Sequence, residues 1–208
     1  MRLQTKVEEQ LNTYTHGIGA VLSIIGLIIL IINYNPEQKW SLFSVLVYGI
    51  SMIILFTSSM LYHAVLDLKR KHVFRIFDHI SIYLLIAGTY TPVVLLLLSD
   101  SLGWQLFWIV WSIALLGIVL KLFFTGRFLV FSLLLYVFMG WVIILDLDYL
   151  MNTMSSRGLW LMSAGGLFYT VGIIFYAIHR IPFNHVIWHV FVLAGAICHF
   201  FMILLFVI

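Results

Sequence analysis

Seven runs of apolar residues alternate along this chain with short polar breaks, at 17–34, 41–62, 79–98, 103–122, 128–147, 158–178 and 186–207. At a rise of about 1.5 Å per residue, about 20 residues cross the roughly 30 Å hydrocarbon core of a bilayer, so each run is long enough to be one transmembrane helix. The breaks, among them "NYNPEQKW", "LDLKRKHVFRIFDH", "LSDSLGW", "FFTGR" and "HRIPFN", carry the Pro, Gly, Asn, Asp and Ser residues that end helices and make turns. Short breaks make neighbouring helices antiparallel. The pattern predicts an all-α membrane protein, a single seven-helix transmembrane domain over residues 1–208.

Composition agrees. The 208 residues are 63% hydrophobic and 9% charged, with a mean hydropathy of +1.13, far outside the globular range. The segment "MRLQTKVEEQLNTYTHG" has no short apolar core or small-residue cleavage signature, so no cleaved signal peptide is expected. Cys198 is the only cysteine, which excludes an intrachain disulfide. There is no Gly-rich phosphate loop, and no nucleic-acid partner is expected. The small residues of "GIGAVLSIIG" predict close helix packing.

The net charge of +3 matters less than its placement. With the N-terminus inside, the cytoplasmic segments hold Arg2, Lys6, Lys69, Arg70, Lys71, Arg75, Lys121, Arg127 and Arg180, leaving Lys39 and Arg157 outside. By the positive-inside rule the N-terminus is cytoplasmic and the C-terminus outside, in a multi-pass protein of the plasma membrane. The basic loop "LDLKRKHVFR" is expected to meet anionic lipid headgroups.

Ionisable groups at membrane helices are expensive and mark function. In this topology His63 ends the second helix, Asp78 begins the third, and His185 and His189 begin the seventh, all near one membrane surface. A spacing of four puts His185 and His189 on one helical face, one turn apart. Three imidazoles and a carboxylate suit zinc, whether the carboxylate binds the ion or holds its water as general base. H-x-x-x-H without the middle glutamate is not the soluble metalloprotease motif.

Ser59, four residues before His63, either serves this site or bonds back to its own helix. Glu9, Asn12 and His16, at helical spacings ahead of the first run, form either a second layer around the site or a network at a helix start. His79 is expected at the interface, His72 in solvent, His179 and Arg180 at lipid headgroups, and His199 hydrogen-bonded between helices.

The combination of E-x-x-N-x-x-x-H at Glu9 to His16, S-x-x-x-H at Ser59 to His63, Asp78 in "FRIFDHISIYLLIAGTYTP", and H-x-x-x-H at His185 to His189 resembles the hemolysin III family. This is the bacterial branch of the progestin and adipoQ receptors, more distantly related to alkaline ceramidases. The resemblance spans nearly the whole chain. It implies zinc held by His63, His185 and His189, with Asp78 on the water and Ser59 beside it.

Two functions are then expected. One is a zinc-dependent hydrolase of a lipid amide or ester, its fatty-acyl substrate lying within the bundle and Asp78 and Ser59 acting in catalysis. The alternative is a non-enzymatic sensor or regulator of lipid state or membrane energetics, with cytolysis as a consequence. A transporter would need ionisable groups along the whole path, and mid-membrane positions offer little beyond His199.

Overall fold

A computed structural model describes residues 4–208, so Arg2 of the charge count lies outside the described residues. Seven helices long and apolar enough to span a membrane make up the fold: α1 (Lys6–Asn33), α2 (Ser41–Ala64), α3 (Leu68–Leu97), α4 (Gly103–Phe124), α5 (Leu129–Thr153), α6 (Ser156–Ala177) and α7 (Asn184–Phe206). Consecutive helices are neighbours, α7 closes against α1, and α3 runs through the middle against α2, α4 and α5. Accordingly, 72% of the apolar window of α3 is buried, against 17% in α6. The outward faces of the peripheral helices carry Ile, Leu, Val and Phe such as Ile32, Leu115, Phe123, Val130 and Leu205. In water such a belt would be an aggregation surface, whereas in lipid it is the solvated face.

Two helices begin earlier than hydropathy predicts, and both extensions matter. Helix α1 starts at Lys6 rather than 17 because Thr5 and Glu8 form a reciprocal cap, with Glu8 N–H donating to Thr5 Oγ1 at 3.2 Å and Thr5 N–H to Glu8 Oε2 at 2.7 Å. The added turns bury Glu8, Asn12 and His16, and the same stripe continues as Gly19, Ser23 and Gly26. A Cβ at Gly19 would collide with the ring of Phe56, so this stripe brings α1 and α2 into close approach, as "GIGAVLSIIG" predicts.

Helix α3 starts at Leu68, capped by Asp67, whose Oδ1 accepts from Arg70 N–H at 2.9 Å. The basic segment expected as a loop is thus the first turns of a helix. Charge masks a helix from a hydropathy window, but it does not prevent one.

At the opposite end of the bundle, two breaks are repaired by side chains. Pro92 lacks the N–H that an α-helix needs, and the following Val93–Leu97 widens to a π-turn. Helix α5 tightens to a 3-10 turn at Val142–Asp146. There Tyr90 Oη donates to Gly140 O at 3.0 Å and accepts from Ile143 N–H at 3.1 Å, satisfying main-chain groups that lipid could not. The buried Asp146 carboxylate accepts from Ser101 Oγ at 2.8 Å and Leu102 N–H at 3.0 Å, pinning the α3–α4 turn. An Asp146→Ala variant strands both donors and is expected to lose about 1–3 kcal/mol of stability, read as a lowered melting temperature of the purified protein in detergent. Asp146→Asn should recover part of that loss.

Candidate metal centre

Both helix extensions deliver polar residues to the end of the bundle where α2 stops and α7 starts. His63 is in the last turn of α2, and His185 and His189 are in the first two turns of α7. One ring nitrogen from each lies within 4.8 Å of the others, close enough for one cation to touch all three. Ring centroids are 5.0 Å apart for His63 and His185, 4.9 Å for His63 and His189, and 4.6 Å for His185 and His189. His63 and His189 are each only 2% exposed.

The hydrogen bonds prepare these rings for an ion. Glu9 Oε2 lies 2.7 Å from His63 Nδ1. A carboxylate only accepts, so Nδ1 carries the proton and Nε2 presents its lone pair. The Nε2 atoms of His63 and His185 are buried without any hydrogen-bond partner. Orphaned imidazole nitrogens in an apolar interior are costly, and a shared metal ion satisfies them. The donor set of three imidazoles fits zinc and other imidazole-accepting ions, and leaves a tetrahedral ion one position to fill.

The residues expected around the site divide into several roles. Glu9 holds His63 and also accepts from Lys71 Nζ at 2.8 Å, joining α1, α2 and α3 through one carboxylate. His16 stacks on His189 with centroids 3.5 Å apart and planes 8° from parallel, and edges against Phe56. Asn12 is fully buried, donates from Nδ2 to Gln4 Oε1 at 2.7 Å, and leaves Oδ1 unpaired. Ser59 is 1% exposed and its Oγ has no partner. Ser23, Ser58, Thr89 and Thr91 all bond back to their own helices, and Ser59 does not.

The Asp78 carboxylate is not among the converging ligand atoms. It lies 3.5 Å from His79 Nδ1 and within electrostatic range of Tyr62 and Tyr176. Those two tyrosine rings flank His63 and His185, at 4.5 and 5.5 Å between centroids.

His79, expected at the interface, is instead buried, its Nδ1 donating to Arg75 O at 2.7 Å. His199 behaves as expected, its Nε2 donating to Met162 O on α6 at 3.1 Å.

Three contributors escape the sequence. Lys71 reads there as one more surface cation. Thr15 Oγ1 faces His189 Nδ1 at 3.5 Å. Glu8 Oε1 accepts from Phe183 N–H at 3.1 Å, gripping the α6–α7 turn two residues before His185. The adjacent acids at the head of α1 were the available signal, since neighbouring helical residues point about 100° apart and so address different partners.

Comparison with known proteins accords with the geometry. A family model described as haemolysin-III related matches residues 4–200. The chain is 46% identical over 202 residues to Hemolysin-3 of Bacillus cereus, covering 97% of this chain and 92% of that protein. The chain belongs to the haemolysin III family. It is also 46% identical to Hemolysin-3 homolog of Bacillus subtilis (strain 168), over 95% of this chain and 93% of the relative. Against Monocyte to macrophage differentiation factor of Homo sapiens it is 30% identical, over 96% of this chain and 84% of the relative. Seven apolar spans and haemolysin III membership make it a multi-pass membrane protein, with the plasma membrane as its expected location.

If Glu9 sets the His63 tautomer, Glu9→Gln should weaken metal binding about 10- to 100-fold, the usual effect of removing the partner of a ligating histidine. Titration with cobalt(II), followed by its ligand-field absorption, measures this. His63→Ala should abolish the tetrahedral spectrum.

Proposed function

We propose that this haemolysin III protein is a zinc-dependent hydrolase of a lipid amide or ester, with its N-terminus and metal centre at the cytoplasmic face. The observation that carries the reading is the ligand count: three buried imidazoles converge and no fourth protein ligand joins them among the described residues. Closed four-ligand sites are structural, whereas a site with three protein ligands keeps a position for chemistry.

The surroundings support it. A cavity of about 260 Å³ opens beside the centre, lined by Glu8, Glu9, Tyr62, Tyr176, Asn184 and His185 among others. A second, apolar cavity of about 100 Å³ lies deeper between α3, α5, α6 and α7, against Leu85, Ile86, Tyr136, Trp188 and Val192. The two share no lining residue, and a polar vestibule and an apolar cavity in one bundle suit the headgroup and the acyl chain of a lipid.

His63, His185 and His189 hold the ion through their ring nitrogens, with Glu9 fixing the His63 ring. Zinc bound there supplies Lewis acidity and acidifies water toward neutral pH. Asp78, outside the ligand set, takes the proton of the attacking water and returns it to the leaving amine or alcohol. The Ser59 hydroxyl, free of its own helix, donates to the substrate oxygen as charge builds there.

A second reading has its own support. The cluster joins helices from opposite ends of the chain, and an ion there would clamp α2 to α7, as a structural metal does. In that case the protein regulates membrane state, and the lysis named in its Bacillus relatives is a consequence of perturbing the bilayer.

Reconstituted into vesicles of mixed acyl amides and esters, the zinc-loaded protein should release fatty acid, scored by mass spectrometry. Chelation should stop release, and Asp78→Ala should slow it by about 100-fold or more while leaving zinc content unchanged. Full turnover by Asp78→Ala would sink the hydrolytic mechanism. Retained zinc without turnover on any lipid offered would favour the regulator.

A further inference from the structure

Beside the vestibule, and sharing Arg75, His79 and His179 with it, lies a cavity of about 310 Å³ that neither reading uses. Arg75, His79, Lys121, Gly126, Arg127 and His179 line it. Lys121 is the decisive residue: it sits in the last turn of α4, is 2% exposed, and forms no ion pair with any carboxylate among the described residues.

The Lys121 side chain lines this cavity, and a cation at a membrane helix end without a carboxylate partner favours an anion beside it. The charge nearest Lys121 in electrostatic terms is another cation, Arg75. Gly126, at φ +85, turns the chain so that a Cβ there would be 3.2 Å from the Arg75 guanidinium, and this turn leads into Arg127. No carboxylate lines the cavity among the described residues, and Asp78 lies 3.5 Å from the Nδ1 of His79. The lining is therefore mainly basic, with Arg75 and His79 from α3, Lys121 from the end of α4, and Arg127 and His179 from the turns that follow α4 and α6.

We propose that this cavity binds a phosphate group, with Lys121 and Arg127 as its principal donors. A phosphate offers several acceptor oxygens and a charge that two cations can share, which a carboxylate or chloride satisfies less well. The position at the membrane surface admits the phosphate of an anionic lipid headgroup, and the open side admits free phosphate.

The test uses the full-length protein, purified in detergent and stripped of lipid. Three probes are titrated separately: phosphatidylglycerol, phosphatidylcholine and inorganic phosphate. Binding is read by native mass spectrometry for the lipids and by calorimetry for phosphate, with melting temperature followed in parallel.

The wild-type protein should bind phosphatidylglycerol or inorganic phosphate, and gain melting temperature from it, in preference to phosphatidylcholine. Phosphatidylglycerol alone identifies a headgroup as the source, and competition by inorganic phosphate identifies the free ion. Lys121→Met should weaken that binding by about tenfold or more, the worth of a charge-assisted hydrogen bond. Arg127→Gln, at an exposed position, tests the second donor without threatening the fold.

The double variant Lys69→Gln, Arg70→Gln removes two positive charges, one more than either test variant, from exposed positions outside the cavity lining. Its affinity should stay near wild type. Equal loss in that control, or no anion preference in the wild type, would overturn the proposal.

Discussion

The hydrogen bond from His63 Nδ1 to Glu9 Oε2, at 2.7 Å, is the interaction on which the rest of the histidine cluster depends. It decides which nitrogen of His63 is free, it places α1 against the end of α2, and through Lys71 it fastens the first turn of α3 to both. The His63 ring is buried while Glu9 reaches the vestibule, so loss of the carboxylate would strand a buried Nδ1–H.

Glu8 does for α7 what Glu9 does for α2. By accepting Phe183 N–H, it fixes the turn from which His185 and His189 project. Two adjacent acids, pointing apart on one helix, thus bring the two ends of the chain together around three imidazoles. The head of α1 is less a membrane span than a lid of polar turns. His16, stacked on His189, and the unpaired Oδ1 of Asn12 complete its inner surface.

The bundle is polar at one end and repaired at the other. At the far end, Tyr90 and Asp146 use their side chains to satisfy main-chain groups at helix breaks, leaving no unpaired oxygen on those side chains. At the near end, Ser59, His63 and His185 retain orphaned atoms. Further unpartnered atoms are spread along the bundle at Ser44, Tyr48, Tyr83, Tyr169 and His199, but only at the near end do orphaned imidazole nitrogens from different helices converge. The basic cavity around Lys121 lies at this same level and continues the polar end sideways between α3, α4 and the α6–α7 turn.

Hydropathy was sufficient for the seven spans because lipid imposes a length and an apolar surface on every crossing helix. The H-x-x-x-H of α7 was legible for a similar reason, since helical periodicity alone puts His185 and His189 on one face. The true starts of α1 and α3 were not legible, because capped polar helix and polar loop have the same composition. Nor could the sequence say that Asp78 stands outside the ligand set, that Ser59 turns from its own helix, or that Lys71 and Glu8 serve the centre. Those outcomes depend on which helices touch, at what depth and in what rotation. Distances between residues remote in the chain are fixed only when the helices pack.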